Sequence, residues 1–540
     1  MQGDAIAASR PSSLPFPISP PSRGRRRREV SLSVTLGDLL KVLKLDTTLP
    51  REALKREVRD IAHDSRKVVP GALFVAVRGF HSDGHQFIPQ AIRLGAIAVV
   101  AEQKSNAEVG SALLISVDDS RKALALLADA FFDHPSARLK LVGVTGTNGK
   151  TTTTYLVKSI VEAAHGTVGL IGTINYRVGS KVYPAPNTTP ESLDLQRLMS
   201  EMTDIGTEVC IMEVSSHALA LGRTVGCRFA VAAFTNLTQD HLDFHQTMES
   251  YFEAKLLLFK GLDPDAYAVI NIDDSRAGKI ISATKARVIT AGLSVHADVR
   301  PLGAIRHRIH GLTFDVTTPL GPMTVESPLV GRHNIYNLLL AIAIGVAMGF
   351  ETTAIAEGVK TMHAVPGRLE KIGDGRPFGV IVDYAHTKDA LDRLLETVRE
   401  IAEGRIITVF GCGGDRDRTK RPAMGHAAAK GSDIVIITTD NPRTENALSI
   451  IREIEIGMAS LGVKVANLDS ASPIGAGRTP YLVIPDRREA IKTAIAMGKP
   501  GDVVVLAGKG HEDYQIIGEK KIHFDDREVA RDELQKKRGL

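Results

Sequence analysis

Apolar runs of strand length alternate with amphipathic stretches through the last third of the chain. The pattern predicts strands at Val380–Asp383, Ile406–Phe410, Ile434–Thr438 and Val503–Leu506, with helices between the first three and another at Arg488–Met497. Such alternation is typical of an α/β fold with a mostly parallel sheet and right-handed crossovers. Ligands of these sheets bind beyond the carboxyl ends of the strands, so the residues that follow each strand are candidates for function.

The same pattern divides the preceding part of the chain into two further α/β units. The first begins near Val34 with a short helix and ends near His134-Pro135. The second opens with a strand at Leu139–Val144, a glycine-rich turn and a helix from Thr151, and it extends to a boundary near Val365-Pro366-Gly367. The other elements predicted here are strands at Ala72–Val77, Ala96–Ala101, Val209–Val214 and Ala230–Phe234 and helices at Ile88–Leu94 and Asn337–Met348. We therefore expect domains at residues 34–136, 137–364 and 365–540.

Positive charge is concentrated at the amino terminus. The formal net charge is +5, but residues 1–33 contain six arginines, one aspartate and one glutamate, so the rest of the chain is close to neutral. A near-neutral body gives no support to a nucleic-acid-binding surface. Residues 1–33 are rich in Arg, Pro and Ser and lack the apolar core of a secretory signal. We expect a disordered tail; an organelle transit peptide and a start codon assigned too early are the alternatives.

Neither a membrane span nor a disulfide framework is predicted. The sequence contains no run of about 18 apolar residues, the length that a membrane helix needs. Its three cysteines, Cys210, Cys227 and Cys412, lie far apart and form no CxxC pair, as expected of a protein of the reducing cytoplasm. We expect them to be small buried side chains rather than zinc ligands.

The glycine-rich turn before Thr151 is a candidate phosphate-binding loop. Its sequence is Gly143-Val-Thr-Gly146-Thr-Asn-Gly149-Lys150-Thr151-Thr152. Glycines allow backbone N–H groups to approach an anion closely, and the amino terminus of a helix adds positive potential. Lys150 can reach the β- and γ-phosphates of a nucleotide, and Thr151 offers a hydroxyl to Mg²⁺. The general Walker pattern has glycine where this chain has Val144, yet the strand–loop–helix order favours phosphate binding over a structural turn.

Three ionisable residues follow or lie near the other strands of the central unit. Glu213 ends an apolar strand, where an unpaired carboxylate would be costly to bury. His241 lies in Asp240-His241-Leu242-Asp243 after the next strand, and Lys255 lies among apolar residues of a predicted helix. Taken singly, Asp243 could cap a helix and Lys255 could reach solvent. Beside a phosphate loop, one Mg²⁺ held by Thr151, Glu213 and His241 accounts for more of the pattern.

Six motifs in a fixed order give the chain a resemblance to the Mur ligases that covers nearly all of residues 34–540. They are Thr-Gly-Thr-Asn-Gly-Lys-Thr-Thr (145–152), Glu-Val-Ser-Ser-His (213–217), Phe-Thr-Asn-Leu-Thr-Gln-Asp-His-Leu-Asp (234–243), Gly-Arg-His-Asn (331–334), Pro-Gly-Arg-Leu-Glu (366–370) and Asp-Tyr-Ala-His-Thr (383–387). The first motif is similar to the family's own phosphate loop, which accounts for Val144. The resemblance implies an α/β fold with a UDP-binding domain at 34–136, a central P-loop ATPase domain at 137–364 and a C-terminal Rossmann-like domain at 365–540 that binds the incoming amino acid.

The resemblance also implies roles for individual residues. It implies ATP contacts at Gly146, Thr147, Asn148, Gly149, Lys150, Thr151, Thr152, Asn334, Arg368 and Tyr384. The residues implied to be catalytic are Lys150, Glu213, His241, Lys255, Arg368, Asp383 and His386. It further implies that Lys255 is carbamylated, which would turn an ammonium into a carboxylate-like ligand for a second Mg²⁺, with His241 and Glu213 completing that metal environment. Arg368 follows a Pro-Gly at a domain junction, as expected of a residue that engages on closure.

Two further sets of residues are similar to the substrate sites of the family members that make the tripeptide nucleotide. The UDP-linked muramoyl dipeptide, UDP-MurNAc-L-Ala-D-Glu, is implied to contact Ser65, Phe80, His81, Ser82, Asn187, Thr188, Thr189, Ser215 and Arg223. A glutamine often found two residues before that arginine is Leu221 here. A pocket for meso-diaminopimelate is implied by Arg416, Asp440, Asn441, Pro442, Arg443, Gly508 and Glu512.

Asp440-Asn441-Pro442-Arg443 is the segment that decides between amino-acid substrates. Diaminopimelate differs from lysine by one extra carboxylate, and a fixed guanidinium is the natural bidentate partner of a carboxylate. Family members that add diaminopimelate carry Asp-Asn-Pro-Arg at this place, whereas members that add lysine generally lack the arginine. The alternative is that Arg443 is a surface arginine in a turn.

The activity that the resemblance implies is ATP-dependent amide-bond formation in peptidoglycan assembly. The D-glutamyl carboxylate of UDP-MurNAc-L-Ala-D-Glu would attack the γ-phosphate of ATP, and the amine of diaminopimelate would then attack the acyl phosphate. We expect a cytoplasmic monomer that uses two Mg²⁺ ions. The alternatives are a folylpolyglutamate synthase-like ligase, a non-catalytic structural relative in an organelle complex and a nucleic-acid-dependent NTPase. NAD binding is disfavoured, because Gly411-Cys-Gly413-Gly414 leads to Arg416 where a dinucleotide fingerprint has Gly or Ala.

Overall fold

The computed structural model describes residues 34–45, 50–79, 82–102, 112–308, 311–362, 364–373, 377–464 and 479–536, with the backbone alone at 243 and 308. This part of the chain forms two compact units. The first unit contains the described residues up to Arg300, together with Val316–Met323 and Tyr336–Gly358. The second unit contains Pro301–Asp315, Thr324–Ile335 and the described residues from Val359 onward. The domain boundaries expected at 136 and 364 stay predictions.

The amino-terminal part of the first unit contains a small parallel sheet. Its strands are β1 (Asp60–Ala62), β2 (Ala72–Val75), β3 (Ala98–Glu102) and β4 (Leu113–Val117), paired in that order. Its helices are α1 (Leu36–Lys41), α2 (Arg51–Leu54), α3 (Ile88–Arg93), α4 (Ser120–Phe131) and α5 (Pro135–Arg138), with 3₁₀ turns at Ser65–Lys67 and Gly84–Phe87. Strand β2 is buried along its whole length, as expected of a run of apolar residues in a parallel sheet covered on both faces.

A larger sheet follows in the same unit and carries the candidate phosphate loop. Its strands are β5 (Lys140–Thr145), β6 (Val168–Ile171), β7 (Asn175–Val178), β8 (Lys181–Pro184), β9 (Val209–Glu213), β10 (Phe229–Phe234), β11 (Tyr267–Asn271) and β12 (Arg287–Ala291). The spatial order is β12-β11-β10-β5-β9-β6-β7-β8, parallel from β12 to β6 and antiparallel from β6 to β8. Strand β5 therefore lies between β9 and β10, and the residues that follow these three strands share one edge of the sheet.

Helices flank this sheet and continue the chain beyond it. They are α6 (Lys150–Ala163), α7 (Ser192–Asp204), α8 (Ser216–Ala220), α9 (Leu242–His245), α10 (Met248–Lys260) and α11 (Ala277–Ala283), followed later by α12 (Arg332–Ala347) and α13 (Thr352–Thr361). A further sheet has the order β13 (Arg300–Arg308), β14 (Gly311–Thr317) and β15 (Met323–Ser327). Helix α12 begins at Arg332, earlier than the Asn337 that the apolar pattern predicts, so Asn334 lies in its first turn.

The second unit is built on a parallel sheet with one antiparallel edge strand. Its strands are β16 (Glu370–Lys371), β17 (Gly379–Asp383), β18 (Ile406–Phe410), β19 (Ile434–Ile437), β20 (Gly462–Lys464), β21 (Thr479–Val483) and β22 (Val503–Ala507), in the order β16-β17-β22-β18-β19-β21-β20. A hairpin, β23 (Tyr514–Ile517) and β24 (Lys520–His523), follows β22. The helices are α14 (Lys388–Ile401), α15 (Lys420–Gly431), α16 (Ala447–Met458), α17 (Arg487–Met497) and α18 (Asp526–Lys536).

The predicted strands of both units are confirmed to within two residues at each end. The hydrophobic pattern did not predict the remaining strands: β1, β4, β6 to β8, β11, β12, β16, β20, β21, the sheet of β13 to β15 and the hairpin of β23 and β24. Among these, β8 and β24 are short and mostly exposed, so they carry little hydrophobic signal. Within the described residues, no helix is long and apolar enough to cross a membrane.

Candidate active site

Two glycines shape the loop between β5 and α6. Gly146 has a φ of +146°, and a Cβ placed there would lie 1.8 Å from Thr235 Oγ1. Gly149 has a φ of +85°, and a Cβ there would lie 2.3 Å from Asn337 Oδ1. Only glycine fits both the backbone conformation and the space. Helix α6 starts directly after Gly149, at Lys150, so its positive amino terminus lies at the loop and Thr151 and Thr152 belong to its first turn.

The segment that follows β10 holds this loop in place. Asn148 N donates to Asn236 Oδ1 at 3.0 Å, and Thr235 Oγ1 donates to the Asn148 carbonyl at 2.6 Å. Thr147 Oγ1 donates to the Thr238 carbonyl at 3.1 Å. The Phe-Thr-Asn-Leu-Thr part of the third motif thus acts as a scaffold for the phosphate loop, a role that its sequence did not reveal.

Two lysines converge on the same loop. Lys150 Nζ donates to the carbonyls of Gly146 at 3.0 Å and Thr147 at 2.9 Å, and Lys255 Nζ donates to the Gly146 carbonyl at 2.8 Å. Lys255 is 1% exposed, so the alternative that it reaches solvent is wrong. Burial, and then the charge of Lys150, hold the pKa of the Lys255 amine well below its ordinary value. The Lys255 Nζ lies 4.5 Å from the centre of the Tyr251 ring.

Glu213 is buried at the end of β9 and is held by donors from two directions. Its Oε2 accepts from Thr151 Oγ1 and from Thr173 Oγ1, both at 3.0 Å, and its Oε1 accepts from Thr173 N at 2.9 Å. These hydrogen bonds compensate for the free energy that burying the Glu213 carboxylate costs. Thr173 was missed because it lies in a turn after β6 that carries no motif. Hydroxyl and carboxylate oxygens at a phosphate loop are the hard ligands that Mg²⁺ prefers, so Thr151 and Glu213 fit this ion.

His241 lies in a group of aromatic rings beside this site. Its backbone has a φ of +52°, and its ring centre is 4.8 Å from that of His217 and 6.1 Å from that of Tyr251. His245 Nε2 is 2.9 Å from Ser216 Oγ. Tyr251 is therefore a common neighbour of His241 and Lys255. Among the residues that the structure describes, no three or more His, Cys, Asp or Glu side chains form a metal-binding group, so the expected metal set is a proposal.

The segment expected to hold the muramoyl peptide lies against Glu213. Thr188 Oγ1 is 3.1 Å from Thr173 Oγ1, and Thr189 Oγ1 donates to the Glu213 carbonyl at 2.8 Å. The backbone N–H of Ser215 donates to Thr189 Oγ1 at 3.0 Å. The Asn187 carbonyl accepts from the hydroxyl of Tyr176. Asn187 to Thr189 and Ser215 are thus brought to the same edge of the sheet as the phosphate loop.

Arg223 is fixed by a carboxylate that the motifs did not include. Its Nη1 donates to the Thr189 carbonyl at 2.9 Å, and its Nη2 lies 2.6 Å from Glu191 Oε1. Arg121 of α4 lies 3.7 Å from the other oxygen of Glu191 and donates to the Arg78 carbonyl at 3.0 Å. Arg223 therefore belongs to a network that extends through Glu191 and α4 to Arg78, in the segment after β2.

The residues expected to bind uridine are only partly described. Ser65 is buried, and its Oγ donates to Gln90 Oε1 at 2.9 Å, so Gln90 positions Ser65 in a way that the sequence did not show. Ser82 is exposed, and its carbonyl accepts from Gly79 N at 2.9 Å. Phe80 and His81 lie outside the described residues. A role in uridine binding stays a prediction for this set.

In the second unit, Asp383 ends β17 and organises the residues around it. Its carboxylate accepts from the backbone N–H of Leu369 and of Ala385, each at 2.8 Å. Burial raises the pKa of the Asp383 carboxyl, although the charge of Arg368 and these two bonds lower it. The Arg368 guanidinium lies 5.2 Å from the centre of the Tyr384 ring.

Two histidine rings flank Tyr384. The ring of His386 is 4.6 Å from it and that of His511 is 5.1 Å from it, measured between centres. Burial, and then the charge of Arg368, lower the pKa of His511 to about 4. Arg368, Asp383, Tyr384 and His386 are thus brought together, with His511 as a neighbour that the motifs did not include.

Asn334 is buried in the first turn of α12. Its Nδ2 donates to the Val330 carbonyl at 2.6 Å, and the neighbouring Gly331 N donates to His307 Nε2 at 2.9 Å. The Gly-Arg-His-Asn motif therefore forms a fixed turn at a helix amino terminus. Its contact with ATP stays a prediction.

The expected diaminopimelate residues follow β22, β18 and β19, which are neighbours in the sheet. Arg443 has a φ of +51°, and its Nη1 donates to the Gly414 carbonyl at 2.8 Å. Its backbone N–H donates to the Ile516 carbonyl at 3.0 Å, and its carbonyl accepts from Gly518 N at 2.8 Å. Arg443 is partly exposed and pairs with the hairpin, so its guanidinium is held by the fold, and its role in binding the amino acid stays a prediction. Arg416 is exposed on the loop that also carries Gly414.

A buried lysine connects the two acidic residues of this set. Lys509 is fully buried, and its Nζ lies 3.2 Å from Asp440 Oδ1, 3.3 Å from Asn441 Oδ1 and 3.5 Å from Glu512 Oε2. Asn441 Nδ2 donates to the same oxygen of Glu512 at 2.9 Å. Lys509 lies between Gly508 and Glu512 in the sequence, and its role was missed because its other two partners, Asp440 and Asn441, are 69 and 68 residues away.

Arg421 supports the two loops that carry Arg416 and Arg443. Its guanidinium is fully buried and donates to Glu445 at 2.7 and 2.9 Å, to Glu453 at 2.9 Å and to the Gly413 carbonyl at 3.2 Å. Glu445 also accepts from Asp415 N. The segments that carry Arg416 and Arg443 are therefore tied to α15 and α16.

Comparison with known proteins agrees with this geometry. Three family models match the chain: the Mur ligase family catalytic domain at residues 57–132, the Mur ligase middle domain at 144–345 and the Mur ligase glutamate ligase domain at 367–510. A UDP-N-acetylmuramoyl-L-alanyl-D-glutamate–2,6-diaminopimelate ligase from Geobacter metallireducens is 48% identical over 502 residues, which cover 91% of this chain and 97% of the relative. The protein of the same description from Geobacillus thermodenitrificans is 48% identical over 481 residues, covering 88% of this chain and 94% of the relative.

A solved structure extends the likeness to the fold. The structure of a UDP-N-acetylmuramoyl-L-alanyl-D-glutamate–2,6-diaminopimelate ligase matches with a TM-score of 0.69 at 31% identity, covering 94% of this chain and 100% of that chain. The predicted α/β architecture of the Mur ligase type is thereby confirmed. With sequence, fold and the order of its motifs in agreement, the chain belongs to the Mur ligase family.

Proposed function

We propose that this chain is the ATP-dependent ligase that joins meso-2,6-diaminopimelate to UDP-MurNAc-L-Ala-D-Glu during peptidoglycan synthesis. The observation that carries the proposal is the cluster of charged and polar side chains after β18, β19 and β22, where Arg443 is fixed beside Gly414 and Glu512 is fixed beside Asn441. The relatives that are 48% identical over most of the chain carry the name of this activity, which supports the same substrate.

The first step is phosphorylation of the D-glutamyl carboxylate. An oxygen of that carboxylate attacks the γ-phosphorus of ATP, the bond from this phosphorus to the β–γ bridging oxygen breaks, and ADP leaves. The amino terminus of α6 and the Lys150 ammonium would stabilise the negative charge on the phosphate oxygens. The contacts of Lys150 with the loop carbonyls would then be exchanged for contacts with phosphate. Asn334, Arg368 and Tyr384 are proposed as further ATP contacts.

Thr151 and Glu213 are the residues that would hold Mg²⁺ at this loop, with His241 and a modified Lys255 proposed for a second ion. Bound Mg²⁺ would supply positive charge to the phosphate oxygens. Thr173 keeps the Glu213 carboxylate oriented from the opposite side. The sheet edge thus presents oxygen ligands whose positions are already fixed by hydrogen bonds.

The lowered pKa of Lys255 supports the proposal that this residue is carbamylated. A neutral amine is the form that reacts with CO₂: its nitrogen forms a bond to the carbon, and one proton is released to solvent. The buried position of Lys255 favours the neutral amine. Carbamylation would also bring a carboxylate-like group next to Lys150, whose charge opposes protonation of the unmodified amine.

In the second step the amine of diaminopimelate attacks the acyl phosphate. Its nitrogen forms the amide bond, inorganic phosphate leaves with the electrons of the carbon–oxygen bond, and the amine loses a proton. Arg416 and Arg443 would bind the carboxylates of the amino acid, and Glu512 would accept from an ammonium. Asp383 and His386 are proposed to contact the bound nucleotide. The muramoyl peptide would be held by Asn187, Thr188, Thr189, Ser215 and Arg223, and its uridine by Ser65 and the segment 80–82.

Phosphate release with purified protein tests the proposal. The reaction should require ATP, Mg²⁺ and UDP-MurNAc-L-Ala-D-Glu, and kcat/KM should be much higher with meso-diaminopimelate than with lysine. A folylpolyglutamate synthase-like enzyme would show no phosphate release that depends on the UDP-linked substrate, and a non-catalytic relative would release no phosphate at all. Preference for lysine would contradict the assignment of the pocket. We propose a cytoplasmic location, where ATP and a nucleotide-linked substrate are available.

A further inference from the structure

Lys509 is a charged side chain that the proposed reaction does not use, although it is among the most deeply buried in the second unit. Its side chain is fully buried after β22, in the segment between Gly508 and Glu512. An ammonium removed from water in this way is tolerated only when carboxylates and hydrogen bonds compensate for its lost hydration. The carboxylates around Lys509 are therefore the charges that its ammonium neutralises.

Those surroundings are the two acidic residues of the amino-acid pocket. Lys509 Nζ is 3.2 Å from Asp440 Oδ1 and 3.5 Å from Glu512 Oε2, and it donates to Asn441 Oδ1 at 3.3 Å. Asp440 is 12% exposed and Glu512 is 17% exposed at the side chain, so solvent screens their mutual repulsion only weakly. Lys509 is the group that allows two carboxylates to remain together at the ends of β19 and β22.

The charge of the pocket follows from this arrangement. Arg416, Arg443 and Lys509 are set against Asp440 and Glu512, which leaves the group with an excess of one positive charge. Without Lys509 the two signs would be equal, and two carboxylates would face the ligand without their shared cation. A substrate with a second carboxylate would then lose the net positive charge that attracts it, while one with a lone distal ammonium would lose the net positive charge that opposes its binding.

We propose that Lys509 is a specificity-determining residue: its buried ammonium balances Asp440 and Glu512, so that the pocket accepts an amino acid with two carboxylates in preference to one with a distal ammonium alone. The inference rests on the proposed function, since it concerns the choice between meso-diaminopimelate and lysine. Lys509 acts through Glu512 and Asn441 and is a positioning residue in this sense. A residue that only ties two loops together would alter the use of both amines alike.

The test compares kcat/KM for meso-diaminopimelate with that for lysine, measured by phosphate release with the full-length protein and its variants. Lys509→Met is expected to lower the ratio of the two values at least about tenfold, the size expected when one partner of a buried charge group is removed. Asp440→Asn together with Lys509→Met removes one charge of each sign and is expected to return the ratio to within about threefold of the wild type. Lys521→Met is the matched control, because Lys521 lies 3.8 Å from the Tyr514 ring of the same region but is exposed; its ratio should not change.

Every outcome bears on the inference. Equal losses with both amines in Lys509→Met, or a double variant as altered as the single one, would overturn it and leave Lys509 as a tie between loops. If thermal unfolding shows that Lys509→Met does not fold, the single variant Asp440→Asn replaces it as the test. This variant keeps Lys509 and makes the group more positive, so the ratio of kcat/KM for diaminopimelate to kcat/KM for lysine should rise severalfold. An unchanged ratio would overturn the inference. If the wild-type protein uses neither amine, the proposed function has failed. If the wild type prefers diaminopimelate and the variants keep this preference, only the inference about Lys509 has failed.

Discussion

Replacing Arg443 with alanine is expected to lower kcat/KM for meso-diaminopimelate far more than kcat/KM for lysine. The guanidinium is held in place by its own bond to the Gly414 carbonyl and by backbone bonds of residue 443 to Ile516 and Gly518. Little further ordering is therefore needed when it binds a carboxylate. A hydrogen bond to a charged group contributes about 1.5–3 kcal/mol, which corresponds to a roughly ten- to hundredfold loss for diaminopimelate.

Two further variants at Arg443 separate charge, geometry and stability. Arg443→Lys keeps the positive charge but loses the planar fork, so its activity with diaminopimelate should lie between those of wild type and Arg443→Ala. Residue 443 has a φ of +51°, and a left-handed backbone costs a residue other than glycine roughly 1 kcal/mol. Arg443→Gly should consequently be as inactive as the alanine variant and no less stable than it.

The assay is phosphate release at saturating ATP and UDP-MurNAc-L-Ala-D-Glu, with either amino acid varied, alongside thermal unfolding of each variant. Lysine serves as the internal control, because it lacks the carboxylate that Arg443 is proposed to bind. An alanine variant that keeps the wild-type preference for diaminopimelate over lysine would refute the assignment. A loss that is equal for both amino acids would show that the loop, and not the carboxylate contact, had been damaged.

Three other changes test the remaining parts of the structure. Gly146→Ala should weaken ATP binding at least about hundredfold, because the added methyl group would overlap Thr235 Oγ1 and a φ of +146° is strained for alanine. Calorimetry with ATP measures this loss, and Gly278→Ala, whose methyl group would meet nothing within 4 Å, is the control that should bind ATP normally. Lys255→Met should abolish phosphate release. It should also flatten the pH dependence of the free energy of unfolding, measured in CO₂-free buffer. In the wild type, Lys255 is protonated in the unfolded chain but neutral in the folded chain at every pH between its lowered folded pKa and its unfolded pKa of about 10.4, so stability rises with pH over this range. A variant that keeps the same slope would contradict the burial of a neutral amine. Asp526→Asn leaves Arg487 buried without its carboxylate and should cost about 3–5 kcal/mol in urea unfolding, whereas Arg487→Met with Asp526→Leu should recover most of it; a fully stable single variant would show that the pair contributes nothing.

The hydrophobic pattern was sufficient to place central strands of the three larger sheets and, through them, much of the candidate site. Parallel strands end in the same direction, so motifs that follow β5, β9 and β10 had to meet if these strands were neighbours. The observed order β10-β5-β9 makes them so, and Thr151 and Glu213, sixty-two residues apart, share a hydrogen bond. The same reasoning applies to Asp440 and Glu512 in the second unit.

What the pattern could not provide was the identity of partners that carry no motif. Thr173 holds Glu213 and Gln90 holds Ser65, yet both have an unremarkable neighbourhood in the sequence. Lys509 lies between two expected pocket residues, but its partner Asp440 is 69 residues away. Their roles depend on which distant segments the fold brings near them, and short-range periodicity contains no such information. For Lys255 the sequence was compatible with both burial and exposure, because a lysine on an apolar helix can extend to the surface or remain inside.

The contact between residue 443 and the hairpin of β23 and β24 has a consequence for protein engineering. The hairpin belongs to a segment more than seventy residues further along the chain, yet it forms backbone bonds on both sides of the arginine. Transplanting Asp-Asn-Pro-Arg alone into a lysine-adding homologue would therefore deliver the guanidinium without the support that aims it. We expect the substrate choice to be transferred only when the tetrapeptide and the hairpin are exchanged together.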